Sequence, residues 1–254
     1  MMEFSSVIYE KKGAVVLLTL NEPTKLNALS MGIRDGLERS FVEIENDDEV
    51  RAVVITGAGE KSFCAGADIS GLKFEASFVK TFLSEILDTL AIGERCKKPV
   101  ISAVNGFAFG GGLELAIGSD FIIASEKAKF GVPEINIGLL PGFAIVRLGE
   151  IIGRQKAKEM SMVGDPITAQ QAKEYGMVLD VVPHEEVVNK AMELAEKLAS
   201  KPQAAIKLAK SAYNLGLGGE EMRYAKDSMP FLFLTEDSQE GISAFLEKRK
   251  PNFS

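Results

Sequence analysis

Two glutamates, Glu114 and Glu134, carry the chemistry this sequence offers most clearly. They stand twenty residues apart (134 − 114) at the heart and the end of the stretch Asn105 to Glu134, each among apolar or small residues. A carboxyl group in such surroundings can take up, hand over or hold a proton near neutral pH. Directly before Glu114 comes a glycine cluster, Gly110, Gly111 and Gly112. Glycine lets backbone approach a ligand without an intervening Cβ. A helix starting there presents unpaired N–H groups and the positive end of its dipole, which suits a developing oxyanion. The pattern points to a site that stabilises an enolate and moves protons with two glutamates. The bland alternatives stay beside it: Glu114 as a favourable partner of a helix dipole, and Glu134 as an ordinary loop residue after Pro133.

The elements that must position these groups follow from periodicity. Val7 to Glu10 and Val15 to Leu20 read as strands, with Lys12-Gly13 as a hairpin turn. Asn21-Glu22-Pro23-Thr24 breaks the second strand, and Lys25 to Leu29 leads into a helix with Ser30 as its N-cap. Ile33, Leu37, Phe41 and Ile44 form its apolar stripe. Ala52 to Thr56 and Val100 to Val104 are buried strands by length and branching, and Phe121 to Ala124 is another. Between the first two, Ser77 to Arg95 reads as one long helix with Phe78, Phe82, Ile86 and Leu90 as its apolar face. The alternation of strand and helix predicts a parallel α/β sheet. Leu113 to Ile117 is a short helix. Phe143 to Ile152, Arg154 to Met162 and Ala169 to Tyr175 follow as helices, the last with Thr168 as N-cap and Gly176 at the C-terminal end. Val178 to Val182 is a short strand. Pro183 to Ser200 is an amphipathic helix, and helices from Pro202 to near Gly216, Glu220 to Leu234 and Thr235 to Lys248 complete the chain.

The glycine-rich segment Gly57 to Ser70 superficially suggests a phosphate loop. Glu60 stands where a glycine should precede Lys61-Ser62, which rejects nucleotide binding; a plain strand-to-helix connection is the other reading. The 254 residues are 46% apolar, enough for a substantial core. No stretch approaches the ~20 apolar residues of a membrane helix. The N-terminus lacks a basic region followed by an apolar core, so no signal peptide is expected. Two cysteines, Cys64 and Cys96, make no disulfide framework and fit a cytoplasmic setting. One histidine, His184, and no clustered Cys/His spacing argue against a metal site. The net charge of −7 argues against nucleic acid as a partner.

Five segments, in order, resemble the crotonase (enoyl-CoA hydratase/isomerase) superfamily along nearly the whole chain. They are Leu20-Asn21-Glu22-Pro23 with Asn27-Ala28-Leu29; Phe63-Cys64-Ala65-Gly66-Ala67-Asp68-Ile69; Asn105-Gly106 through Gly110-Gly111-Gly112-Leu113-Glu114; Phe130-Gly131-Val132-Pro133-Glu134; and Glu240 to Arg249. The resemblance implies an α/β spiral of ββα units over residues 1–200 and a helical C-terminal trimerisation region over 201–254, as a homotrimer or a dimer of trimers. It implies an acyl-CoA thioester as ligand and no separate cofactor. By matching position, the backbone N–H groups of Ala67 and Gly111 would hold the thioester oxygen. Lys25, Ala65, Asp68 and Ile69 would bind CoA, with Lys248 or Lys250 reaching toward a CoA phosphate. Hydratases of the family are similar in carrying both glutamates. The resemblance therefore implies hydration of a 2-enoyl-CoA, Glu114 holding the water and Glu134 protonating C2. An isomerase or an acyl-CoA hydrolase of the same superfamily is the runner-up; a non-catalytic CoA- or RNA-binding protein stands against the glutamate pair and the acidic balance.

One segment departs from the family pattern. Hydratases commonly carry Gly-Gly-Thr-Gln between Pro-Gly and Arg-Leu, whereas here Phe143-Ala144-Ile145-Val146 stands between Pro141-Gly142 and Arg147-Leu148. Either these side chains pack the helix, or they reshape the acyl pocket.

Overall fold

The computed structural model describes residues 2–4, 6–214, 226–227, 230 and 233–251. Among these, the large sheet is built from β1 (Met2–Phe4), β2 (Val7–Lys12), β3 (Val15–Leu20), β4 (Ala52–Gly57), β6 (Val100–Val104), β8 (Phe121–Ser125) and β11 (Asp180–Val182), in the order β1-β2-β3-β4-β6-β8-β11. The hairpin β2–β3 is antiparallel and turns at Gly13, whose φ of +62° a side chain would oppose. From β3 onward every neighbour is parallel.

A second sheet does not announce itself in the sequence. Its strands, β5 (Ser62–Cys64), β7 (Phe107–Phe109), β9 (Lys129–Gly131) and β10 (Ile167–Thr168), hold two or three residues each and lie in the order β10-β9-β7-β5. Runs that short carry no readable alternation. They reveal the architecture, however. Each long parallel strand β4, β6 and β8 is followed at once by a short strand, β5, β7 or β9, and then by a helical turn. The long strands pair with one another and so do the short ones, so the ββ-helix unit repeats. The segment Gly57 to Ser70, expected as a loop, contains β5.

The two faces of the large sheet follow the two-residue period of its strands. Val16, Leu18 and Leu20 point into the main core with Ile33, Leu37, Phe41 and Ile44 of helix α1 (Met31–Asn46). Val15 and Leu17 point the other way and meet Val187, Ala191, Ala195 and Ala199 of helix α8 (Val187–Ala199). Small residues every fourth position let α8 lie close to the sheet. Each fully buried Leu or Ile contributes on the order of 1.5–3 kcal/mol.

The expected helix over Ser77–Arg95 is two pieces, α2 (Ala76–Leu90) and α3 (Ile92–Arg95). Its buried face is Val79, Leu83, Ile86, Leu87 and Leu90: Ile86 and Leu90 are buried as expected, while in the first turns Val79 and Leu83 stand in place of Phe78 and Phe82. Those two rings stack on each other, centroids 6.2 Å apart, on the rim of the core. Caps match the sequence closely. The Ser30 hydroxyl accepts from Ile33 N–H, and Thr168 forms a capping box with Gln171 ahead of α7 (Ala169–Glu174). Helix α9 (Gln203–Asn214) and the C-terminal helix Glu236–Leu246 are present where helices are expected. Most of the expected helix Glu220 to Leu234 lies outside the described residues.

Candidate active site

The turn from β7 into helix α4 (Gly111–Ile117) is made by Gly110, at φ 52° and ψ −125°, a region closed to residues with a Cβ. Its N–H donates to Gly131 O of β9 (2.9 Å). Any Cβ on Gly110 would lie 2.7 Å from Glu134 Oε1. The glycine is therefore what lets Glu134 lie against the start of α4. Every residue of α4 is buried, Glu114 included, at 4% exposure. The glutamate is held from outside its own helix. Its Oε1 accepts from Phe143 N–H (2.6 Å) and Ala144 N–H (2.8 Å) at the start of helix α5 (Ala144–Ile151). Burial pushes its titration up, and the amides of Ala144, Phe143 and Gly142 pull it part of the way back.

Glu134 lies on a 3₁₀ turn, Pro133–Ile137, with Pro133 at its first position and Gly138 closing it at φ 74°. Its Oε2 is buried and meets no hydrogen-bond partner among the described residues. Burial pushes this carboxyl up, and the charge of Glu114 pushes it further. The two carboxyls thus sense one another, and they differ. Amide donors favour the ionised form of Glu114, while Glu134 Oε2 meets no such donor among the described residues.

The Ala67 and Gly111 amides come together beside them. A Cβ on Gly111 would lie 3.4 Å from Ala67 N, and one on Gly66 would lie 3.6 Å from Gly111 N. Leu29 holds this edge in place: its N–H donates to Gly66 O (2.8 Å), and it forms a parallel bridge with Ala67. Gly111 opens α4, so its N–H has no carbonyl one turn back to bond.

The remaining residues flank this point. Ala65 N–H donates to Leu26 O (3.1 Å). Asp68 Oδ1 accepts from the Ser70 hydroxyl (2.6 Å), which holds its carboxyl below the ordinary range. Ile69 packs against the apolar cluster of Val79, Leu83, Leu139, Phe233 and Ile242. Lys25 is exposed, its Nζ 3.4 Å from Glu22. Lys248 and Lys250 are exposed near the end of the described chain.

Three features were not foreseen from the sequence. Phe143 and Ala144 matter through their backbone: Phe143's ring is fully buried in the main core, and Ala144 beside it is buried too. Their side chains face the core, whereas Ile145 is exposed at 44% and Val146 is half-buried, so the packing alternative describes only the first half of this segment. Asn27, at a left-handed φ of 55°, is buried and donates to Ala58 O (2.9 Å) and Ser62 O (3.0 Å) while accepting from Glu22 N–H (3.0 Å). Arg147 is buried on α5 and pairs with Glu94. A charged residue inside an apolar helical run was the available signal for it.

His184 Nδ1 lies 3.2 Å from Ser125 Oγ, beyond β8 and apart from the glutamates. Burial pushes the Cys64 thiol up to about 12, which removes it as a nucleophile. No group of three or more His, Cys, Asp or Glu side chains among the described residues could hold a metal ion.

The family model described as Enoyl-CoA hydratase/isomerase matches residues 10–254. The chain belongs to that family. It is 42% identical over 255 residues to the short-chain-enoyl-CoA hydratase of Clostridium acetobutylicum, covering 98% of this chain and 97% of that protein. It is 38% identical over 257 residues to the crotonyl-CoA hydratase of Syntrophomonas wolfei, covering 99% of each. Among solved structures, it resembles the enoyl-CoA hydratase of Bacillus anthracis with a TM-score of 0.79 and 36% identity, over 98% of both chains. The repeated ββ-helix unit is therefore the crotonase fold, and the glutamates and paired amides described above lie within the matched residues. No described helix is long and apolar enough to cross a membrane.

Proposed function

We propose that this protein hydrates a short 2-enoyl-CoA thioester, with Glu114 and Glu134 as the acid–base pair. The observation that carries the reading is the unlike setting of two mutually sensing carboxyls. Glu114 accepts from two backbone amides, and Glu134 Oε2 is buried with no hydrogen-bond partner among the described residues. The relatives named as short-chain-enoyl-CoA and crotonyl-CoA hydratases supply the substrate class.

In this scheme the thioester oxygen accepts from the Ala67 and Gly111 N–H groups. Glu114 orients a water and takes a proton from it as its oxygen bonds to C3. The C2=C3 electron pair moves toward the thioester as an enolate, and C2 takes a proton from Glu134. The sum is addition of H and OH; proton exchange between the two carboxyls through water restores the starting state. Each oxyanion donor supplies ~3 kcal/mol by analogy with measured oxyanion holes, and each acid–base group on the order of 10²–10⁴ in rate. Lys25, Ala65, Asp68 and Ile69 line the CoA arm. No cofactor enters, because CoA is part of the substrate. The assembly extends the same reading: a homotrimer or a dimer of trimers, working in the cytoplasm.

The test is turnover of crotonyl-CoA, followed by loss of the conjugated thioester absorbance, for wild type, Glu114→Gln and Glu134→Gln. Rapid loss in wild type and collapse in both variants support the proposal. No wild-type turnover alongside CoA-ester binding would sink it and direct attention to branched, cyclic and β-keto acyl-CoAs.

A further inference from the structure

Helix α5 does two things at once. Its first turn holds the Glu114 carboxylate through the Phe143 and Ala144 amides. One turn on, Arg147 points into the protein, 6% exposed. Its Nε lies 3.1 Å from Glu94 Oε1 and its Nη2 3.4 Å from Glu94 Oε2, a two-armed pairing on a carboxylate whose own side chain is 10% exposed. The third arm, Nη1, lies 2.8 Å from Glu150 Oε2, on the same helix. A planar guanidinium bound at both ends fixes direction as well as distance.

Glu94 belongs to α3, and α3 is itself pinned. Lys210 of α9, nearly buried, donates to Gly93 O (2.7 Å), Lys98 O (2.9 Å) and Asp120 Oδ2 (2.7 Å). Asn214, also of α9, donates to Glu94 O (3.2 Å). A cavity of about 500 Å³ opens beside this network, with Glu94, Asp120, Arg147 and Lys210 on its wall. The chain of contact runs from α9 through α3 to Arg147, along one turn of α5, and ends on Glu114.

We infer that Arg147 and Glu94 are positioning residues for the reaction: their ion pair sets the angle of α5 and thereby keeps the Phe143 and Ala144 amides aimed at the Glu114 carboxylate. The inference rests on the reading of Glu114 as the water-activating base. Neither residue touches the reacting atoms. A small tilt of α5 withdraws both donors together, because both belong to one rigid turn. The ionised form of Glu114 is then less favoured, and the water it holds is displaced. Displacements of this kind, even from distant substitutions, lower rates by up to about a hundredfold.

The experiment compares wild type, Arg147→Met, Arg147→Lys and Glu94→Gln. It reads kcat and KM for crotonyl-CoA against pH, and hydrogen–deuterium exchange of the Phe143 and Ala144 amides. Arg147→Met should lower kcat by roughly ten- to a hundredfold with KM within about twofold. It should move the rising limb of the kcat–pH profile to higher pH by roughly one unit and speed exchange at those two amides. Arg147→Lys, with a charge but no fork, should recover part of each effect. A folded Arg147→Met with wild-type exchange at both amides and an unmoved limb overturns the inference; so does a general loss of stability with the limb unmoved. Should Arg147→Met fail to fold, the same two measurements are made on Glu94→Gln, where an unmoved limb with wild-type exchange again overturns the inference. If wild type does not hydrate crotonyl-CoA, the proposed function falls by itself. Amide exchange and the infrared titration of the Glu114 carboxyl, blanked with Glu114→Gln, then decide the positioning role alone.

Discussion

The backbone N–H of Phe143 donates a 2.6 Å hydrogen bond to the carboxylate of Glu114, while the Phe143 ring is fully buried in the main core. One residue thus anchors the helix with its side chain and solvates the buried charge with its backbone. The two jobs are separable.

Phe143→Ala keeps the amide and removes the ring. Loss of a buried phenylalanine should destabilise the fold by about 3–5 kcal/mol, seen as a lower urea midpoint. At a temperature where the variant stays folded, kcat for crotonyl-CoA should stay within a few-fold of wild type. A hundredfold loss in the folded variant, with unchanged stability, would mean that the ring and not the amide serves the site.

The buried carboxyls make stability depend on pH in a definite direction. Both Glu114 and Glu134 are raised, so the folded state holds protons that the unfolded chain has released. Their contribution to stability is full below the ordinary carboxylate pKa. It is lost as pH rises from there through their folded titrations. Glu134→Gln removes one of the two buried charges. Its melting temperature should therefore exceed that of wild type by several degrees at about pH 8, with the gap closing near about pH 4.5. An equal difference at both pH values would show that Glu134 titrates normally in the folded protein.

Gly110 and Gly112 should fail differently. A Cβ on Gly112 would run into the Cys64 carbonyl, a backbone group that cannot step aside. Gly112→Ala should lower stability by at least about 1–3 kcal/mol. On Gly110 the Cβ meets the Glu134 carboxylate, at a backbone angle that opposes any side chain. Gly110→Ala should lower kcat well beyond what its melting temperature accounts for. Equal loss of activity per unit of stability in the two variants would sink this distinction.

What can be read from the sequence, and what cannot, divides along one physical line. Long strands and amphipathic helices show their periodicity over many residues, so the parallel sheet, the Ser30 and Thr168 caps and the β2–β3 hairpin are legible. The glycine cluster with Glu114, and Glu134 after Pro133, are legible because residue type there is dictated by local backbone and chemistry. The strands of the second sheet are not, since two or three residues carry no period. In α2 the expected Ile86 and Leu90 are buried, but its first turns bury Val79 and Leu83 rather than Phe78 and Phe82, because both pairs repeat at helical spacing and only the neighbouring elements decide which turns inward.

The sequence by itself determined the family, the parallel α/β class and the two carboxyls. Only the tertiary structure decided that one carboxyl rests on two amides twenty-nine and thirty residues away (143 − 114 and 144 − 114), while the other has a buried oxygen with no hydrogen-bond partner among the described residues. The reason is that a side chain's chemistry is local, whereas its protonation depends on burial and donors supplied by distant segments. No spacing along the chain encodes the direction in which the Phe143 and Ala144 amides point. That direction exists once α5 is packed, with Arg147 paired to Glu94 beneath it.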